Sequence, residues 1–358
     1  MNENPNGSNT NNANQIGDGS ERIHISPDKL LTVSPSPHIK SGETTATIMT
    51  SVIIAMLPSL VWAVYIFGFR ALTLTLISVI SCVFFEFLYQ KITKKRVTVK
   101  DLSAVVTGVL IAFNLPVNTP LWAPVIGSAF AIIIVKQLFG GIGKNIVNPA
   151  IAARVFMFLS FNFMAEFHDI SAEKLSAFKI NVDAVIGATP LVDLKHGIPS
   201  DVGFIEMFLG QKGGCIGEVS VLLIIAGGLY LMWRKIITWH TPVSYIAVVA
   251  LITFFLPKET SDGLNFAIAE ILSGGLFLGA VFMATDYATT PITKTGKLIF
   301  GAGCGLITVF IRYFGAYNEG VSFAIMVMNL FVWYIDKLIK PRRFGGAADV
   351  RRKKQQQQ

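Results

Sequence analysis

Apolar stretches separated by short polar turns fill the chain from Thr47 to Ile335. They run over Thr47–Phe69, Ala71–Gln90, Leu102–Leu115, Leu121–Phe139, Ile146–Phe163, Val219–Trp233, Thr241–Leu256, Phe266–Met283, Leu298–Phe314 and Val321–Ile335. A helix needs roughly 20 mostly apolar residues to cross hydrocarbon. The pattern therefore predicts an all-α membrane protein with about ten transmembrane helices. The third, fifth and sixth stretches are short, and Pro149 stands early in the fifth. Broken helices are expected there, because irregular backbone at membrane depth needs protein around it.

The long polar stretch from Met164 to Glu218 separates the first five apolar stretches from the last five. The expected organisation is an N-terminal tail (1–45), a first five-helix half (46–163), a long extracytoplasmic loop (164–217), a second five-helix half (218–336) and a basic tail (337–358). The first residues, rich in Asn and Gly, lack the basic start and apolar core of a signal peptide, and are too polar to fold. A weak echo pairs Leu110–Pro116 with Leu251–Pro257, and Asn148-Pro149 with Thr290-Pro291. Apolar helices match easily, so duplication stays open.

Lys91–Arg96, Lys136 with Lys144, Arg234-Lys235, Lys294 with Lys297 and the basic C-terminus all fall on one face of such a bundle. Lys and Arg mark the cytoplasmic side, so both termini are expected there. The opposite face then carries Arg70, the Pro116–Pro120 turn, Glu259–Asp262, Tyr317–Glu319 and the long loop.

A hydrophobic content of 52% with only 15% charged residues excludes an ordinary soluble domain. Much of the net charge of +8 flanks apolar segments, which points to membrane lipid and not to nucleic acid. Cys82, Cys215 and Cys304 lie far apart with no histidine at a ligand spacing, so no metal site is expected. His168 and His196 have no partner spacing that suggests a catalytic group.

Within the loop, Asp183-Ala-Val-Ile-Gly-Ala-Thr189-Pro-Leu191 sets a threonine among small residues ahead of a proline. On spacing alone it is an ordinary turn. The run Gly140-Gly141-Ile142-Gly143-Lys144-Asn145 lacks the spacing of a phosphate-binding loop and follows a helix, which argues against ATP. Its glycines, with Asn145 and Asn148-Pro149, suggest a broken helix at the cytoplasmic face, where Thr285–Pro291 also lies. Together they are expected to line a polar pocket, with helix capping and packing as the alternative. Glu86, Arg154, Glu270 and Arg312 invite an ion-path reading beside snorkelling or pairing, and Asp286 joins them. Trp62, Trp122, Trp233, Trp239 and Trp333 suit headgroup anchors better than stacking on a bound ring.

Taken in order, Phe139-Gly-Gly-Ile-Gly-Lys-Asn-Ile-Val-Asn-Pro-Ala150, Gly187-Ala188-Thr189 and Phe282-Met-Ala-Thr-Asp-Tyr-Ala-Thr-Thr-Pro291 resemble the family of Rnf-complex D subunits and the B subunits of Na+-translocating NADH:quinone reductase. The resemblance covers nearly everything after the N-terminal tail. It implies that Thr189 is esterified by the phosphate of FMN, a phosphoester made by a separate flavin transferase. The family motif has Ser or Thr directly before Gly-Ala-Thr, with Asp three residues earlier; this chain keeps Asp183 and carries Ile186. A tether of that kind leaves the ring free and holds it close to neighbouring centres. The resemblance also implies a second flavin, riboflavin, held without a covalent bond.

The function so implied is a flavoprotein electron-transfer subunit of a redox pump that couples ferredoxin:NAD electron transfer to Na+ or H+ movement. Its partners are the other membrane and peripheral subunits, and no complete reaction is expected from this chain alone. A solute channel or secondary transporter, suggested by the two halves, is a second reading. A non-redox anchoring subunit is a third.

Overall fold

The computed structural model describes residues 43–165, 167–168, 186–187, 190–196, 202–218, 220–258 and 262–340. Asp183, Ala188 and Thr189, and residues 1–42 and 341–358 of the two tails, lie outside them. The regular structure among the described residues is helical, apart from an isolated bridge between Pro116 and Cys215 and a two-residue antiparallel pair, β1 (Phe167–His168) with β2 (Ile186–Gly187), inside the long loop.

The first half contains α1 (Thr45–Phe67), α2 (Phe69–Ile92), α3 (Ser103–Phe113), α4 (Ala123–Ala129) continued by a π-helix over Phe130–Gln137, and α5 (Pro149–Ser160). The loop holds the short helices α6 (Pro190–Lys195) and α7 (Phe204–Leu209). Beyond it come α8 (Val221–Trp233), α9 (His240–Phe255), α10 (Gly263–Leu272) and α11 (Leu276–Leu278), the last continued by a π-helix over Gly279–Met283. The final two are α12 (Lys294–Phe314) and α13 (Val321–Leu338). Each apolar stretch contains a helix. By length and composition α1, α2, α12 and α13 can each cross a bilayer, and α10 with α11 and its π-helix forms a fifth, broken candidate; the others are shorter apolar helices. A multi-pass membrane protein follows.

Three local expectations are corrected by the backbone. The turn expected at Arg70 falls at Gly68, while Arg70 is the second residue of α2 and is fully buried, donating to the carbonyls of Val117 at 3.1 Å and Thr119 at 2.7 Å. Pro149 does not break a helix: it is the first residue of α5, where its missing N–H costs nothing. Asn148 caps that helix by accepting from Ala150 N at 3.0 Å. The real break lies in the eighth stretch, whose pattern predicts one continuous helix. Gly274 and Gly275, at φ +66° and +65°, part α10 from α11 with a bend of 61°.

In the packing, α2 lies against α3 and α4, and α9 lies against α10 and α12. Across the molecule α1 packs on α8, and α5 on α13. The α2–α3 crossing is close, for a Cβ at Gly108 would stand 2.6 Å from the Val79 Cα. Small residues serve this purpose in membrane bundles, where dispersion and hydrogen bonds replace the hydrophobic drive between helices. Ser78 Oγ adds a bond to the Gly108 carbonyl at 2.8 Å.

Candidate functional site

A cavity of about 330 Å3 opens between α1, α3, the π-helix after α4, the start of α5, the end of α8 and the segment that follows Met283. Gly143, Asn145, Asn148 and Pro149 line one side; Thr285, Asp286, Tyr287 and Ala288 line another. The two stretches expected to meet in a pocket are thus brought together. They also bond directly, as Asn148 Nδ2 donates to the Met283 carbonyl at 3.3 Å. Most of the remaining wall is apolar, contributed by residues such as Met49, Val106 and Ile237.

The polar groups of the cavity differ in how far they are satisfied. Thr285 Oγ1 donates to Val281 O at 2.6 Å, and Tyr287 donates its hydroxyl proton to Ile236 O. Burial pushes the Asp286 carboxyl above its ordinary value, opposed by hydrogen bonds from the Thr289 hydroxyl and the Ala288 and Tyr287 amides. Asn145 Oδ1 is buried with no partner. A buried acceptor left unmade costs about 1–3 kcal/mol, so this atom marks a place for a ligand donor.

Lys136 also reaches the cavity, and it corrects an expectation. Its place in the sequence marks it for the cytoplasmic face, yet it is 2% exposed and lies within the bundle. Its Nζ contacts Glu86 at 2.8 Å and donates to Ser103 Oγ at 2.6 Å, while Gln137 Nε2 donates to the same carboxylate at 2.8 Å. Sequence reasoning singled out Glu86 but missed Lys136 and Ser103 as its partners. The available signal was a lysine inside an apolar run.

The other flagged charges form a second cluster at the α10–α11 break. Arg312 donates to Glu270 Oε2 at 2.6 Å and to the Glu270 and Ser273 carbonyls at 2.7 and 3.2 Å. Arg154 pairs with Glu319 and donates to the Asn114 carbonyl at 2.6 Å. Buried pairing, not snorkelling, therefore explains Glu86, Arg154, Glu270 and Arg312. Sequence reasoning missed Lys212, Glu218 and Glu319, which complete this cluster. Cys215, Glu218 and Glu319 bring ligand atoms within 4.8 Å of one another, but the Arg154 guanidinium stands among them, 3.3 Å from Cys215 Sγ. The positive charge at that point is already supplied.

Thr189 itself is not described, but the chain just after it is anchored on this cluster. A Cβ at Gly274 would meet the Leu191 side chain at 2.6 Å, and Leu194 packs with Phe266 and Ala269. Lys195 Nζ donates to Gly315 O at 2.8 Å, and Lys258 Nζ to Lys195 O at 2.8 Å. Burial, then the nearby Lys258 charge, lowers the proton affinity of Lys195. No tryptophan lines the cavity among the described residues, and Trp122, Trp233, Trp239 and Trp333 stand exposed.

Residues 32–345, which include both cavity-lining signatures and the loop, match the NQR2, RnfD, RnfE family. The chain belongs to that family. This family member is 47% identical over 318 residues, 88% of its length and 95% of the relative, to the D subunit of the Na+-translocating ferredoxin:NAD+ oxidoreductase complex of Acetobacterium woodii. It is 38% identical over 325 residues, 88% of its length and 96% of the relative, to the D subunit of the proton-translocating ferredoxin:NAD+ oxidoreductase complex of Clostridium ljungdahlii. Over 347 residues, 88% of its length and 99% of the relative, it is 32% identical to the D subunit of an ion-translocating oxidoreductase complex of Escherichia coli.

Proposed function

We propose that this chain is the membrane flavoprotein D subunit of an Rnf-type complex, which couples electron transfer between ferredoxin and NAD to Na+ or H+ translocation. The observation that carries the reading is the match to D subunits over 88% of the chain, with two of the family's signatures meeting at one cavity. The relatives from Acetobacterium woodii and Clostridium ljungdahlii differ in the ion their complexes move, so the ion is left as Na+ or H+. The other membrane and peripheral subunits of such a complex supply the sites for ferredoxin and NAD.

In this reading Thr189 carries FMN as a phosphoester installed by a flavin transferase, and the cavity takes a second, non-covalent flavin, riboflavin. Flavins accept and pass on one or two electrons; the chain's part is to position them. The residues present fit such a group. The cavity lies in the usual size range of small-molecule sites, its apolar walls suit the faces of a flat ring, and its few polar groups, with Asn145 Oδ1 unpartnered, suit the ring's polar edge. Asn148, bonded to Met283 O, holds the two lining segments together, while Leu191, Leu194 and Lys195 hold the residues after Thr189 against α10 and α12.

The fold half of the proposal is a bundle of about ten helices in two five-helix halves, with both termini cytoplasmic and Thr189 on the far side. Support comes from the packing, in which α2 on α3 and α4 is matched by α9 on α10 and α12, with α1 on α8 and α5 on α13 joining the halves.

The chain, produced with a flavin transferase and purified in detergent, tests the cofactor assignment by its flavin content before and after denaturation. The expected result is one flavin that stays with the denatured polypeptide and one that is released. Val106→Trp, which fills the cavity, is expected to lose the released flavin and keep the bound one. A colourless protein, or equal loss of both flavins in Val106→Trp, contradicts the assignment.

A further inference from the structure

The break between α10 and α11 leaves backbone carbonyls pointing into the bundle, as interrupted membrane helices do where they hold cations. Arg312 takes two of these carbonyls, those of Glu270 and Ser273, and Lys212 Nζ takes that of Leu272. Lys212 is 3% exposed and comes from the glycine-flanked connection ahead of α8, not from a helix.

Opposite it stands Glu218, 4% exposed. One oxygen accepts from Cys215 N at 2.6 Å; the other has no hydrogen-bond partner among the described residues, and would lie 2.5 Å from a Cβ at Gly275. Lys212, Glu218, Leu272 and Gly275 line one narrow crevice. Arg154, Lys212 and Arg312 balance Glu218, Glu270 and Glu319 in charge. Arg154–Glu319 and Arg312–Glu270 are direct ion pairs, which leaves Lys212 and Glu218 facing the crevice without pairing.

We propose that this crevice is a site for a small monovalent cation, held by the Glu218 carboxylate and the Leu272 carbonyl, and that the Lys212 ammonium is a tethered cation competing for it. An ammonium and a hard metal cation seek the same oxygen acceptors. With Lys212 swung in, its charge balances Glu218 and no free ion is needed. With Lys212 removed or swung out, a buried carboxylate is left whose charge one monovalent cation offsets. The residues of this site are not those assigned to either flavin, so its Na+ response is read independently of flavin content on Thr189.

The test uses the full chain in detergent micelles, melted in NaCl and in choline chloride at equal ionic strength. The parent is expected to respond weakly to Na+. Lys212→Met is expected to melt lower in choline and to regain stability saturably with Na+, at an apparent affinity tighter than the parent's by about tenfold or more. The double variant Lys212→Met, Glu218→Gln is expected to lose that response. A monodisperse Lys212→Met that melts alike in Na+ and choline overturns the proposal, as does a Na+ response that survives Glu218→Gln. If Lys212→Met does not fold, Lys212→Gln is read in the same way. If neither folds, retention of radioactive Na+ by the parent at concentrations high enough to compete with Lys212 decides: retention lost in Glu218→Gln supports the site, and no retention, or retention that survives Glu218→Gln, overturns it.

Discussion

Lys136 sits in an apolar run, and its partners decide what it contributes. Removing one member of a buried ion pair leaves an uncompensated charge and costs about 3–5 kcal/mol, whereas replacing both by apolar groups is often neutral. Glu86→Gln is therefore expected to lower thermal stability in detergent by several kcal/mol, and Glu86→Met with Lys136→Met to recover most of the loss. Melting curves of the single and double variants check this; a double variant no more stable than Glu86→Gln would contradict it. The sequence made Glu86, Arg154, Glu270 and Arg312 visible as charges in apolar surroundings, because burying charge is expensive anywhere. It did not reveal their partners, since Glu86 and Lys136 are fifty positions apart and Arg154 reaches Glu319 across the bundle. Cys215, Glu218 and Lys212 were hidden more completely, inside a glycine-rich connection that reads as an ordinary loop.

At the scale of elements, hydrophobic runs located the helices well because membrane burial acts on every residue of a span. Their interruptions were less legible. Pro149 pointed to a break that proved to be a helix start, while the true break rests on Gly274 and Gly275, set inside an otherwise largely apolar run. A left-handed conformation costs an L-residue about 1–2 kcal/mol. Gly141→Ala, at φ +94° with open space around its Cβ, is expected to cost about that much. Gly275→Ala carries the same strain and also places its Cβ 2.5 Å from Glu218 Oε2, so it is expected to cost more. Thermal melts of the two variants test the difference, and equal losses would show that Glu218 moves aside freely. Both π-helices, over Phe130–Gln137 and Gly279–Met283, end beside the cavity-lining segments. Such turns frequently mark functional sites, but nothing in their composition announces them.

For the whole molecule, the expected pocket between two distant signatures is present, because those residues had to be polar and small where the helices end. The weak sequence echo instead paired α3 with α9, whereas in the packing α9 takes the central place that α2 holds in the first half. The proposed orientation has a direct check. Cys82, Cys215 and Cys304 are free and buried, at 1% exposure or less, so introduced cysteines can be labelled over a quiet background. His196→Cys is expected to react with a membrane-impermeant maleimide added to intact spheroplasts, and Lys340→Cys only after the membrane is opened. The reverse pattern would invert the bundle and place Thr189 on the cytoplasmic side. The central claim, a flavin-carrying subunit, meets its most direct test in a denaturing gel under ultraviolet light. The chain made with a flavin transferase is compared there with Thr189→Ala, and its peptides are then mapped by mass. Fluorescence in the parent alone, with the mass of FMN on the peptide spanning residues 183–191, is the predicted result; a parent with no covalent flavin would contradict it.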